Sequence, residues 1–127
     1  GNFLLQLRSE NCRDEHNKWD GGSGALDYGD TIENTLIREI KEEYCSEIIN
    51  YEFLGIREVF REHNGNKTHW IAFDYLVYID KSKVKNGEPH KFKDIDWFKL
   101  EKFPENMHSV FPTFYEKYKD KILEISK

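Results

Sequence analysis

The sequence predicts a single α/β domain in which strands with a helix before and after them form an α/β/α sandwich. Three observations predict it. Two strand-like runs, Tyr51–Glu62 and Thr68–Asp80, flank His63-Asn64-Gly65-Asn66, and Asn-Gly between such runs is a strong hairpin signal. Upstream, Ile32, Leu36, Ile37, Ile40 and Tyr44 recur at helical spacing. Downstream, Val110, Phe111, Phe114, Tyr118, Ile122 and Ile125 do the same within Ser109–Ile125, where Pro112 falls in the first turn and is tolerated.

The remaining elements follow in chain order. Phe3–Leu7 reads as a buried strand. Ser9–Ser23 is polar and turn-rich, with Trp19 its one large apolar residue, and reads as a loop ending in glycines. Ala25–Tyr28 is expected to be a short strand leading into the helix. Lys81–Lys93 is charged and carries Asn86-Gly87 and Pro89, the composition of a surface loop. Ile95–Leu100 reads as the last strand.

At 127 residues the chain is one domain with room for one core, residues 1–127 forming a single unit. A hydrophobic content of 38% indicates a globular protein, and a charged content of 34% a soluble one. There is no apolar run long enough to cross a membrane and no basic-then-apolar leader. The net charge of −5 argues against a nucleic-acid polymer as partner, because backbone binding rests on an excess of Lys and Arg. Cys12 and Cys45 are too few for a disulfide framework and form no CxxC pair, so reduced thiols in a cytoplasmic protein are expected.

The chemistry concentrates in Gly24–Ser46. Asp30 fits an N-cap, and Glu33, three positions later, completes the pattern of a capping box. On the resulting helix the apolar residues span an arc of roughly 140°. Glu39, Glu42 and Glu43 fall within about one turn, so Glu39 neighbours both others and the three repel one another. Glu42 and Glu39 lie roughly 80° and 20° outside the apolar arc, and Glu43 roughly 20° inside it. A carboxylate on the buried side is costly unless it is paired or bound to a metal. Grouped hard oxygen ligands suit Mg²⁺, which prefers a few carboxylates plus substrate phosphates.

This stretch resembles the signature of the Nudix hydrolases, in the MutT-like manner. Gly24 stands at the opening Gly, Asp30 at the first acidic position, and Arg38-Glu39-Ile40-Lys41-Glu42-Glu43 reproduces the central block unchanged. Three positions depart from the pattern: Asp30 replaces Glu, Cys45 replaces the closing Gly, and Ser46 replaces an aliphatic residue. The change at Cys45 is expected to alter the helix cap more than a metal site. The motif covers 23 of 127 residues. The resemblance implies a Nudix-type sandwich with a mixed central sheet. Since Nudix domains usually carry another strand before the one at Phe3–Leu7, the expectation is a sheet lacking that first strand, with one edge exposed.

What the resemblance implies about function is a Mg²⁺-dependent hydrolase, with Mn²⁺ as a substitute, acting on a nucleoside diphosphate linked to another moiety. Glu39, Glu42 and Glu43 match the metal-binding glutamates, and a Gly24 carbonyl completes the ligand set. Gly22 and Gly24 let the loop backbone approach closely. Arg38 matches an Arg whose implied role is to orient the glutamates. The general base is either a motif glutamate, Glu42 or Glu43, or a residue of the later loop. There Glu88-Pro89-His90-Lys91, followed by Trp97, resembles the nucleoside triphosphate pyrophosphatases of the family. Glu88 is accordingly a candidate metal ligand or base, and Lys91 a candidate phosphate contact.

The expected reaction is (d)NTP to NMP and pyrophosphate. The alternatives are cleavage of ADP-ribose or another NDP-X compound, or a non-catalytic nucleotide-binding module. For base stacking the candidates are Trp19, Tyr28, Phe60 and Trp70, against the ordinary role of aromatics as core. Arg13-Asp14-Glu15-His16 either lines the pocket or is a solvated loop. His63 and His69 are expected at the surface beside the hairpin turn. Nudix enzymes are often dimers, so a homodimer is a further expectation.

Overall fold

The computed structural model describes residues 2–125. Its elements are β1 (Asn2–Arg8), β2 (Trp19–Asp20), α1 (Ile32–Tyr44), β3 (Ile48–His63), β4 (Asn66–Ile79), a 3₁₀ turn (Lys81–Lys83), β5 (Phe92–Lys99) and α2 (Phe111–Ile125). They form the expected α/β sandwich.

Alternation along β1 sets the layers, because successive side chains of a strand point to opposite faces. Phe3 packs into the cluster of Leu54, Leu76, Tyr118 and Ile122, which joins β3 and β4 to α2. Gln6, on the opposite face, accepts a 2.5 Å hydrogen bond from the Tyr44 hydroxyl at the end of α1. One helix therefore lies on each side of β1. The three-stranded sheet has the order β2-β1-β5, antiparallel throughout, with Gln6 opposite Asp20 and Leu4 opposite Trp97. Beyond these strands, an isolated parallel bridge joins Trp19 to Met107.

The hairpin is longer than its sequence limits. It pairs from Ile48 with Ile79 out to His63 with Asn66, around a turn in which Asn64 and Gly65 both have positive φ, 52° and 80°. That is the conformation Asn-Gly favours. One face of this ribbon packs on α2, while Phe53, Ile56, Phe60, Ile71 and Phe73 are exposed on the other.

Two local expectations are corrected. Ala25–Tyr28 forms no strand; Leu26 and Tyr28 are exposed and have nothing to pack against. The strand of this region is instead Trp19–Asp20, inside the stretch read as loop, and it exists because β1 offers it a pairing edge. The N-cap of α1 is Thr31, not Asp30. Thr31 Oγ1 accepts from Asn34 N at 3.1 Å, whereas the Asp30 carboxylate is drawn to Arg38, 3.4 Å away. At the other end Cys45, in place of Gly, adopts the left-handed conformation (φ 57°) and donates to Lys41 O.

Candidate active site

The last two turns of α1 carry the three motif glutamates. Glu43 is 6% exposed, as its place inside the apolar arc predicts, while Glu39 is half-buried and Glu42 exposed. The glycine loop lies directly on them. A Cβ added at Gly24 would overlap the Glu39 carboxyl, and one at Gly22 would stand 3.0 Å from Glu43 Oε2 and 3.3 Å from the Tyr44 hydroxyl. Glycine lets the backbone run this close without displacing the Glu39 carboxyl. Gly24→Ala should force Glu39 into another rotamer and lower metal-dependent turnover about tenfold, with little change in the urea midpoint. Steady-state kinetics beside urea denaturation checks both parts.

Arg38 holds Glu39 from the other side. Its Nη1 is 3.2 Å from Glu39 Oε1, and its Nη2 reaches Asp27 (3.3 Å) and Asp30 (3.4 Å). Asp30 and Asp27 therefore fix the guanidinium that orients Glu39.

Glu88 arrives from the loop before β5. It is half-buried and pairs with Lys91 at 3.7 Å. The structure thus brings Glu88 into the field of the helix carboxylates, although it lies 45 residues beyond Glu43 in sequence. Burial, then the charges of Glu39, Glu88 and Asp20, push the Glu43 carboxyl up to about 9, against a smaller opposing pull from Lys91. Glu39 is also raised, by burial and by Glu42, with Arg38 opposing.

Asp20 is a member of this group that sequence reading missed. Burial raises it to about 6, against the pull of Arg8 and a hydrogen bond from Gly21 N. Its only local signal is its place between Trp19 and the glycines. Gln6 and Tyr44 complete the floor, with Gln6 Nε2 3.5 Å from Gly21 O.

Within Arg13–His16 the outer two residues are exposed, and the inner two are tied down. Asp14 accepts from Arg8 (3.2 Å) and Arg61 (2.8 Å). Glu15 Oε1 accepts from Ser109 N (2.6 Å) and faces the buried His108 (3.6 Å). Of the aromatic candidates, Trp19 packs edge-on against Phe98, Phe60 lies against His69, and Tyr28 and Trp70 are exposed. His63 and His69 both sit toward the surface, as expected.

The donor set fits a hard divalent cation. A buried carboxylate stands among three others, and among the described residues no cation pairs with it. In the present rotamers no three Asp, Glu, His or Cys side chains of the described residues are gathered to hold a metal ion.

The profile of the NUDIX domain matches residues 1–118. The chain belongs to the Nudix hydrolase family. Its fold is similar to that of a MutT NUDIX hydrolase from Burkholderia pseudomallei, with TM-score 0.78, 24% identity, and coverage of 92% of this chain and 88% of that one. It is similar also to a MutT protein from Methanosarcina mazei Go1, with TM-score 0.72, 28% identity, and coverage of 95% and 85%. A C. elegans Ap4A hydrolase shares the fold at TM-score 0.67 and 18% identity, with coverage of 97% and 87%. No curated protein shows a significant match. As a Nudix hydrolase, the chain acts on pyrophosphate bonds of nucleoside diphosphate derivatives. No helix among the described residues is long and apolar enough to cross a membrane.

Proposed function

We propose that this Nudix hydrolase is a Mg²⁺-dependent pyrophosphohydrolase that converts a (d)NTP to NMP and pyrophosphate. The observation that carries this reading is the buried Glu43 carboxyl, crowded by Glu39, Glu88 and Asp20. Such a group is stable as an anion only beside a cation. Glu39, Glu42 and Glu43 would hold Mg²⁺ or Mn²⁺, with a Gly24 carbonyl as a further ligand. When bound, the ion neutralises phosphate oxygens and lowers the pKa of a coordinated water.

The chain's own groups supply the rest. Arg38 keeps Glu39 in orientation, the rigid helix fixes the spacing of the carboxylates, and Lys91 offers a positive charge to a phosphate beside Glu88. Hydrolysis adds one water across the anhydride: its oxygen bonds to phosphorus, the bridging P–O bond breaks, and a carboxylate takes the released proton. Glu88 and the motif glutamates are the candidate bases. The triphosphate preference rests on the Glu88-Pro89-His90-Lys91 loop, whose Glu88 shares the field of the motif glutamates.

A substrate panel with Mg²⁺ and product analysis tests the assignment. Nucleoside monophosphate plus pyrophosphate from a (d)NTP is the expected result. AMP plus ribose 5-phosphate from ADP-ribose, with no triphosphate turnover, would move the assignment to the NDP-X diphosphatases. Calorimetric nucleotide binding with no turnover of any substrate would identify a binding module instead.

A further inference from the structure

We propose that Gly87 is a positioning residue: lying flat against the last turn of α1, it sets where Glu88 stands beside Glu39 and Glu43. This rests on the reading of those carboxylates as the hydrolytic site. The last carbonyls of a helix lack partners within it. Here the loop before β5 supplies two of them. Gly87 N donates to Glu43 O at 2.9 Å, and Lys85 N donates to Tyr44 O at 2.9 Å. The residues that carry the motif carboxylates and the loop that carries Glu88 are thereby joined through main chain.

The join requires glycine for space. Gly87 is not among the residues with positive φ, so any L-residue could adopt its backbone conformation. A Cβ there would overlap the Glu42 carbonyl oxygen, which is backbone and cannot swing aside, and would also stand 3.2 Å from Cys45 Sγ. Any larger residue must lift the loop off the helix.

From Gly87 the restraint passes directly to Glu88. Asn86 Oδ1 accepts from Glu88 N at 3.0 Å, and Asn86 Nδ2 donates to Phe92 O at 2.6 Å. Glu88 O accepts from Lys91 N (3.0 Å) and Phe92 N (2.9 Å). On the far side the turn after β1 closes the clamp. Ser9 N donates to Lys91 O (2.8 Å), and Ser9 Oγ and Asn11 Nδ2 donate to His90 O (3.0 and 2.8 Å). The Glu88 main chain is thus held at both ends. Lifting one end moves its carboxylate relative to the helix.

A double-mutant cycle separates this role from a general effect on folding. Gly87→Ala should lower kcat about 100-fold with KM nearly unchanged, the loss expected for a group misplaced by about 1 Å. Glu88→Gln should lose at least as much, and the double variant should be no worse than Glu88→Gln alone, because Gly87 acts through Glu88. In the metal-free protein, Gly87→Ala should also abolish hydrogen-exchange protection of the amides at positions 85 and 87 while α2 amides stay protected. Should Gly87→Ala fail to fold, Asn86→Ala enters the same cycle. Losses that multiply in the double variant, or a Gly87→Ala enzyme with wild-type kcat, overturn the proposal while leaving the hydrolytic reading intact. A wild-type chain with no turnover overturns that reading and the proposal with it.

Discussion

Glu43→Gln is expected to lower Mg²⁺-dependent turnover by about three orders of magnitude, and at the same time to stabilise the metal-free protein at neutral and alkaline pH. The two effects have one cause. The carboxyl is held near 9 by burial and by Glu39, Glu88 and Asp20, against an ordinary value of 4.5. Between those two values the folded protein binds a proton that the unfolded chain releases, so stability must fall as pH rises through this window. The slope is about 1.4 kcal/mol per pH unit, and the accumulated cost at pH 7 is on the order of 3 kcal/mol. Below about pH 4.5 both states are protonated and the penalty vanishes. Glutamine keeps the shape and removes the titration.

Urea unfolding in EDTA from pH 5 to pH 9 should show wild-type stability declining relative to Glu43→Gln. Adding Mg²⁺ or Mn²⁺ should reverse the order, because the cation binds only the folded protein and favours the ionised carboxylate. Parallel pH profiles for the two proteins in EDTA would remove Glu43 from the centre of the site. So would full turnover by Glu43→Gln.

How far the sequence reveals this site depends on whether the information is local. The helix is local, set by its apolar spacing, and Glu43 is buried with Tyr44 as that spacing suggests; the face is shifted from the apolar arc, since Thr35 is buried and Ile37 exposed. The hairpin is equally legible, since Asn64-Gly65 accepts the two positive φ angles that its turn needs. The N-cap lies one residue beyond the Asp30 that the pattern suggests, because Asp30 and Thr31 are both good caps. Arg38, eight residues away, decides between them by taking Asp30.

The remaining members of the site depend on distant contacts that no local pattern encodes. Asp20 reaches the site because Trp19 and Asp20 pair with Leu7 and Gln6. Glu88 reaches it because Gly87 fits against the α1 carbonyls. Asp14 reads as a solvated charge until β3 delivers Arg61 to it. In each case composition suggests a loop and tertiary pairing orders it: Asp20 and Glu88 beside the helix carboxylates, Asp14 in a salt bridge with Arg8 and Arg61.

Asp74→Ala is expected to be the most destabilising single substitution away from that site, at about 3–5 kcal/mol. Asp74 is buried on β4, opposite Gly55 in the hairpin register. It receives Arg57 in a two-pronged pair, Nε to Oδ2 at 2.6 Å and Nη2 to Oδ1 at 3.1 Å. The Tyr118 hydroxyl of α2 donates to the same Oδ2 at 2.9 Å. Gly55 makes room for this arrangement, since a Cβ there would stand 2.8 Å from the Tyr118 hydroxyl. Asp74 is thus a buried polar link between the hairpin and α2, beside the cluster that includes Leu54, Leu76 and Ile122. Truncating it leaves a largely buried guanidinium without its counter-charge and a buried hydroxyl without its acceptor, and each orphaned group costs more than the bond itself contributed. A loss of that size is a large share of the total stability of a small domain. Asp74→Asn keeps an acceptor for Tyr118 but removes the charge, so it should fall between wild type and Asp74→Ala. Urea unfolding of the three proteins checks the order. A difference below about 1 kcal/mol for Asp74→Ala would mean that water replaces the carboxylate and that the hairpin is held on α2 by its apolar contacts and by the Lys117 and Lys121 ammonium groups on the Ile56 and Phe53 carbonyls.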